Sequence, residues 1–175
     1  MIIKDLEYKT KLFYGQSSPT KFLRILLTDG TSCMILYRIA RFFRKIHLGV
    51  LSWLFLEINK FLNGCVIGRN AEFAEGLVIM HSHGVVINGG VRGGKNVVIE
   101  SGVVIGAAHH GLPVKVPLLG DNIFIGTGAK ILGGIKIGNN VTIGANAVVV
   151  KDAPDGATIV GIPGRVIKIS EKNNQ

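Results

Sequence analysis

LGDNIFIGTGAKILGGIKIGNNVTIGANAVV, residues 119–149, is the stretch that decides the fold. An aliphatic side chain returns at every sixth position: Leu119, Ile125, Ile131, Ile137, Ile143 and Val149. An α-helix repeats near 3.6 residues and a half-buried strand near two, so neither has a reason to return at six. Glycine follows directly at Gly120, Gly126, Gly138 and Gly144, and small or aliphatic residues recur four places after the lead, at Ala129, Ile135, Val141 and Ala147. This is the pattern of a parallel β-helix. Each six-residue unit forms one face of a prism, and stacked coils bury aliphatic ladders between them.

Towards the N-terminus the same period predicts inward residues at Ile67, Phe73, Ile79, Val85, Val91, Val97 and Val103. Sixteen residues then separate Val103 from Leu119, one unit plus ten. The extra residues must leave the coil as a loop near 107–117, which carries His109, His110, Pro113, Lys115 and Pro117. A long loop inside a strict repeat points to function. The predicted organisation is an N-terminal helical cap over 1–63, a β-helix over 64–168 and a tail over 169–175.

Residues 1–63 lack the six-residue period. Ser32–Ile46 reads as a helix with Arg38, Arg41 and Lys45 near one face, and Leu51–Leu62 as a second, very apolar one. Two roles fit this pair: a cap on the open end of the coil, or a basic amphipathic surface, 32–62, resting peripherally on an anionic membrane. Cations interleaved with large apolar residues argue against a nucleic-acid partner.

Bulk properties agree with a folded chain. Of 175 residues 47% are hydrophobic and 18% charged, with 24 glycines for tight turns. The net charge of +9 suits a polyanionic partner such as a phosphorylated cofactor or an acidic membrane. Two cysteines, Cys33 and Cys65, make neither a disulfide framework nor a metal-binding pair, which predicts a reduced, cytoplasmic chain, with the inner membrane face as the site of any lipid contact. The charged N-terminus is unlike a secretory signal.

Three segments carry a family resemblance. Residues 76–84, GLVIMHSHG, with Val85–Asn88 after them, resemble the catalytic segment of the serine acetyltransferase group of hexapeptide-repeat transferases. DNIFIGTGAKILG at 121–133 and GIPGRVI at 161–167 are similar to the same group. The resemblance spans roughly residues 61–168. It implies a left-handed coil, a homotrimer with active sites between subunits, acetyl-CoA as cosubstrate, no metal, and His81 as the base. Imidazole suits that task because a hydroxyl is a poor nucleophile until a group titrating near neutrality takes its proton. His81 falls two places after Ile79, in the outward phase. His83 falls four after it, in the inward phase, and is expected to be a buried structural histidine. The resemblance places Gly106, Ala107, Thr127 and Ala145 along the pantetheine groove, and Lys151, Arg165 and Lys168 towards the phosphates and nucleotide, where cations help. Asn88, His109 and His110 stand where acceptor and loop contacts are expected.

The match has gaps. An aspartate normally precedes the catalytic histidine of serine acetyltransferases, and here the residue is Met80. Their loop Arg-His-Pro is replaced by Lys115-Val116-Pro117. A zwitterionic acceptor wants an anion for its ammonium, so the expected acceptor becomes a sugar or lipid-linked glycan precursor in surface polysaccharide synthesis, with serine as the alternative. A zinc lyase of the carbonic anhydrase kind and a non-catalytic scaffold are the alternatives from other classes. The zinc site would need an HxxxxH spacing that the adjacent His109 and His110 lack.

Overall fold

The computed structural model describes residues 1–16, 18–109 and 112–170. Short parallel strands wind through five coils. The first holds β1 (Val66–Ile67), β2 (Glu72–Phe73) and β3 (Val78–Ile79); the second β4 (Val86–Ile87), β5 (Arg92–Gly93) and β6 (Val97–Ile99). The third holds β7 (Val104–Gly106), β8 (Leu118–Leu119) and β9 (Ile123–Ile125); the fourth β10 (Lys130–Leu132), β11 (Lys136–Ile137) and β12 (Thr142–Ile143). The last contains β13 (Val148–Val149) and β14 (Ala157–Val160), on which β15 (Arg165–Ile169) folds back antiparallel. Through β13 every third strand stacks, and β14 then lies on β12, giving three sheets that begin at β1, β2 and β3 and form the walls of a left-handed parallel β-helix.

Register exposes where the repeat is interrupted. Ile87 pairs with Ile105, Leu119 with Ile137, Ile125 with Ile143 and Ile131 with Val149, so a regular coil is 18 residues. Ile67 pairs with Ile87 and Ile79 with Ile99, steps of 20. Ile105 pairs with Ile131 and Ile99 with Ile125, steps of 26. Two residues are therefore inserted between Ile79 and Ile87, and eight, not ten, between Ile105 and Leu119. The strand residues facing inward in the second coil are Ile87, Gly93 and Ile99, not Val85, Val91 and Val97. Those valines are buried too, but they belong to the second inward ladder, with Ala71 and Leu77 before them and Ile123 and Ala129 after. An insertion of two shifts that second ladder onto the six-residue count begun at Ile67, which hides the slip. Gly93 takes a strand position without a side chain because the Phe73 ring occupies the space its Cβ would need.

The corner between the sheets of β2 and β3 is held by Asn96, Asn122 and Asn140 at φ near 57°, 55° and 56°. Asparagine tolerates this left-handed region. The first two amides hand a hydrogen bond to the next coil, Asn96 Nδ2 to Asn122 Oδ1 at 2.9 Å and Asn122 Nδ2 to Asn140 Oδ1 at 3.1 Å.

Four helices precede the coil: α1 (Ile2–Tyr14), α2 (Pro19–Ile25), α3 (Thr31–Lys45) and α4 (Gly49–Asn63). The last two match the helices read from the sequence. The first escapes an apolar-periodicity search because its buried residues are Asp5, Leu6, Lys9 and Thr10, three of them polar. Helix α3 lays Cys33, Met34 and Tyr37 on Cys65, Ile67, Ala71 and Phe73 of the first coil, and the Tyr37 hydroxyl donates to Ala71 O at 2.9 Å.

Arg38 does not face outward as the amphipathic reading expected. Its guanidinium is buried, paired with both Asp5 carboxylate oxygens at 2.6 and 3.0 Å, and donates to Phe73 O and Ala74 O. Asp5 Oδ1 also accepts from the backbone N–H groups of Gly76 and Leu77. Arg41 reaches Glu72 at 2.9 Å. Two of the three cations thus serve the joint between helices and coil. Among the described residues no helix is long and apolar enough to cross a membrane. Cys33 and Cys65 are free, buried thiols; the Cys33 thiol beside it, together with burial, pushes Cys65 far up, so Cys65 is not a reactive thiolate.

Candidate functional site

His81 stands on the two-residue insertion, at the corner between β3 and β4. The surplus backbone of residues 80–84 lifts its ring off the wall, and the side chain is 62% exposed. The neighbouring phase differs from expectation. His83 is exposed, and it is Ser82 that turns inward, fully buried, with a hydroxyl that finds no partner among the described residues. A phase counted in sixes through an insertion of two cannot place either residue.

The ring is not alone. Its Nδ1 lies 2.9 Å from Oδ2 of Asp29, in the turn between α2 and α3. Asp29 also accepts from the Gly30 N–H at 2.7 Å. The imidazole hydrogen bond and that backbone donor hold its carboxyl below the usual carboxylate range, against the opposing effect of partial burial. An ionised carboxylate only accepts, so the proton of the neutral imidazole must sit on Nδ1. In that tautomer Nε2 carries the free lone pair, on a largely exposed ring, which is the arrangement of a general base.

Sequence reasoning missed Asp29 because it lies 52 residues before its partner. The signal available was the Asp29-Gly30 turn ahead of an apolar helix, which marks a helix start but not what the carboxylate touches. Gly30 adopts φ 73° as the residue before α3. A Cβ there would run into the carbonyl oxygen of Ile79, so the turn lies directly on the strand that leads to His81.

The other predicted residues divide between two edges of the prism. Thr127 and Ala145 sit on the His81 edge, in the third-to-fourth and fourth-to-fifth coil turns, and both are exposed. Their backbones stack, since Gly126 N donates to Ile143 O and Asn146 N to Thr127 O. Asn88, Gly106 and Ala107 lie on the next edge, between the sheets of β1 and β2, where Asn88 N donates to Ile105 O and Gly133 N to Gly106 O. The excursion loop covers that second edge: Lys115 lies over Gly134 and Val116 over Gly90. His109 is exposed there, and His110 lies outside the described residues. Lys151 follows β13 on the same edge, while Arg165 and Lys168 are exposed on β15. One chain therefore sets Asp29 against His81, places Thr127 and Ala145 on the same edge two and three coils further along, and keeps the loop on another.

Comparison with known proteins fits this geometry. Residues 117–151 match the model of the bacterial transferase hexapeptide family (six repeats). The serine acetyltransferase of Bacillus pumilus is 37% identical over 169 residues, covering 95% of this chain and 78% of that one. That of Synechococcus elongatus is 37% identical over 143 residues, 82% of this chain, which spans only 59% of that relative's length. In structure, soybean serine acetyltransferase complexed with serine superposes with a TM-score of 0.85 at 28% identity, over 95% of this chain and 68% of that one. These relatives overturn the expected glycan acceptor and the role in polysaccharide synthesis, because their names favour serine. An anion does stand beside His81, the Asp29 carboxylate at 2.9 Å from Nδ1, although none precedes it at Met80.

Proposed function

As a chain that belongs to the hexapeptide-repeat transferases, in their serine acetyltransferase-like branch, we propose that this protein is an acetyl-CoA-dependent O-acetyltransferase acting on serine. The observation that carries the reading is the Asp29–His81 pair on an exposed ring, which orients the neutral imidazole with its lone pair on Nε2. Nε2 takes the proton of the serine hydroxyl as the oxygen forms its bond to the thioester carbonyl. The tetrahedral intermediate collapses by breaking the carbon–sulfur bond, and the imidazolium returns the proton to the departing thiolate. The Asp29 carboxylate also sets a negative charge where an ammonium has to be received, and Lys115 offers a loop cation for the carboxylate of the amino acid.

The exposed corner at Thr127 and Ala145, built of small side chains, offers a floor for a narrow pantetheine arm. Gly106 and Ala107 supply a similar floor on the other edge. Lys151, Arg165 and Lys168 are the cations for phosphate groups. Because the two edges diverge within one chain, a site using both forms between neighbouring copies, which supports a trimer with clefts at its subunit boundaries. Acetyl-CoA and free serine meet in the cytoplasm, where this reading places the protein.

The test is product identification by mass spectrometry after incubation with acetyl-CoA and L-serine, beside nucleotide- and lipid-linked sugars. O-acetylserine with equimolar free thiol is expected. Thiol release that produces no O-acetylserine defeats the serine assignment.

A further inference from the structure

Lys9 is a charged residue on α1 with no exposed surface. Its ammonium donates to Asp29 O at 2.5 Å, to Thr31 Oγ1 at 3.0 Å and to Ile79 O at 3.2 Å. These acceptors are not scattered. Asp29 and Thr31 flank Gly30, the residue pressed against the Ile79 carbonyl, and Ile79 is the last strand residue before the turn that carries His81. Three donors meet three acceptors, two of them main-chain oxygens belonging to the two segments that hold the pair. We propose that Lys9 is a positioning residue for the reaction: it ties the Asp29 turn to the Ile79 strand and so fixes the distance and orientation of the Asp29–His81 hydrogen bond.

Simple space-filling does not account for the choice. Burial penalises an ammonium and lowers this one to about 8, with the Asp29 charge opposing the shift. An apolar side chain of equal volume would avoid that penalty but could not bridge two carbonyls. The second contact between turn and strand, at Gly30, is steric and has no directional bond. Lys9 supplies the direction. In the folded protein α1 therefore acts on the site although none of its residues reaches the reacting atoms.

This inference rests on His81 being the base, and its test separates the two. The ring nitrogens of His81 are observed by 15N NMR in the full-length protein without substrate, in wild type, Lys9→Met and Lys9→Gln. In wild type Nδ1 reads as protonated and Nε2 as unprotonated. In folded Lys9→Met both signals move towards the average of exchanging tautomers, as they do in the Asp29→Asn control. Turnover falls about tenfold in kcat while KM for acetyl-CoA stays within about twofold. Lys9→Gln keeps one donor and gives an intermediate spectrum; it decides the matter if Lys9→Met fails to fold. A folded variant with wild-type ring signals and wild-type kcat overturns the proposal. Undiminished turnover in His81→Ala would instead remove the base assignment, and the substrate-free spectra would still report whether Lys9 sets the pair.

Discussion

At the scale of single residues, the decisive feature is how few side chains define the site and how far apart they lie in the chain. His81 is legible as a candidate base from its segment, because GLVIMHSHG resembles a catalytic stretch. Asp29 and Lys9 are not, since neither sits at a spacing that local pattern can connect to position 81. Burial of Lys9 also has a consequence for stability. Its folded pKa, near 8, is below the ordinary lysine value of 10.5. Between those values the unfolded chain binds the extra proton, so stability rises with pH across that window. Tyr37, held up mainly by burial, works in the opposite sense above about pH 10. Urea unfolding at pH 7.5 and 9.5 should therefore show a gain of order 2 kcal/mol in wild type relative to Lys9→Met. Equal pH slopes in the two proteins would show that Lys9 is not the titrating group.

Among the elements, α1 is the one the sequence conceals, and the reason is chemical. It docks through Asp5, Lys9 and Thr10 instead of an apolar stripe. Helices α3 and α4, with large apolar faces, are visible in outline. The Asp5–Arg38 pair is the principal polar joint between helices and coil, its side chains only 1% and 3% exposed. Removing Asp5 leaves a buried guanidinium with two carbonyl partners, and strips the Gly76 and Leu77 amides of their acceptor. Asp5→Ala should cost about 3–5 kcal/mol in denaturant unfolding. A loss below about 1 kcal/mol would mean that the joint tolerates its absence. The turn after β3 shows the converse difficulty. Its two-residue insertion is masked because a second aliphatic ladder takes over the count of six, so the burial of Ser82 and exposure of His83 become readable only in three dimensions.

For the whole molecule, the repeat makes the coil legible almost from end to end, since every ladder residue must be apolar for the prism to close. What the repeat cannot show is how chains meet. Within one chain His81 occupies one edge, and Asn88, Gly106 and the loop another. If the working site joins an edge from each of two copies, inactive variants damaged on different edges should complement each other. Co-assembled His81→Ala and Gly106→Trp chains should recover roughly a quarter of wild-type activity, the share of clefts receiving two intact edges at random. Absence of recovery in mixed oligomers would place the entire site within a single chain.

The proposed chemistry turns on one lone pair, Nε2 of His81, as the acceptor of serine's hydroxyl proton. The most direct measurement is single-turnover acetyl transfer to L-serine by wild type and His81→Ala, with acetyl-CoA affinity measured alongside. The predicted result is a rate lower by roughly 10²–10⁴-fold with affinity preserved, because only proton transfer has been removed. A variant that transfers acetyl as fast as wild type would contradict it.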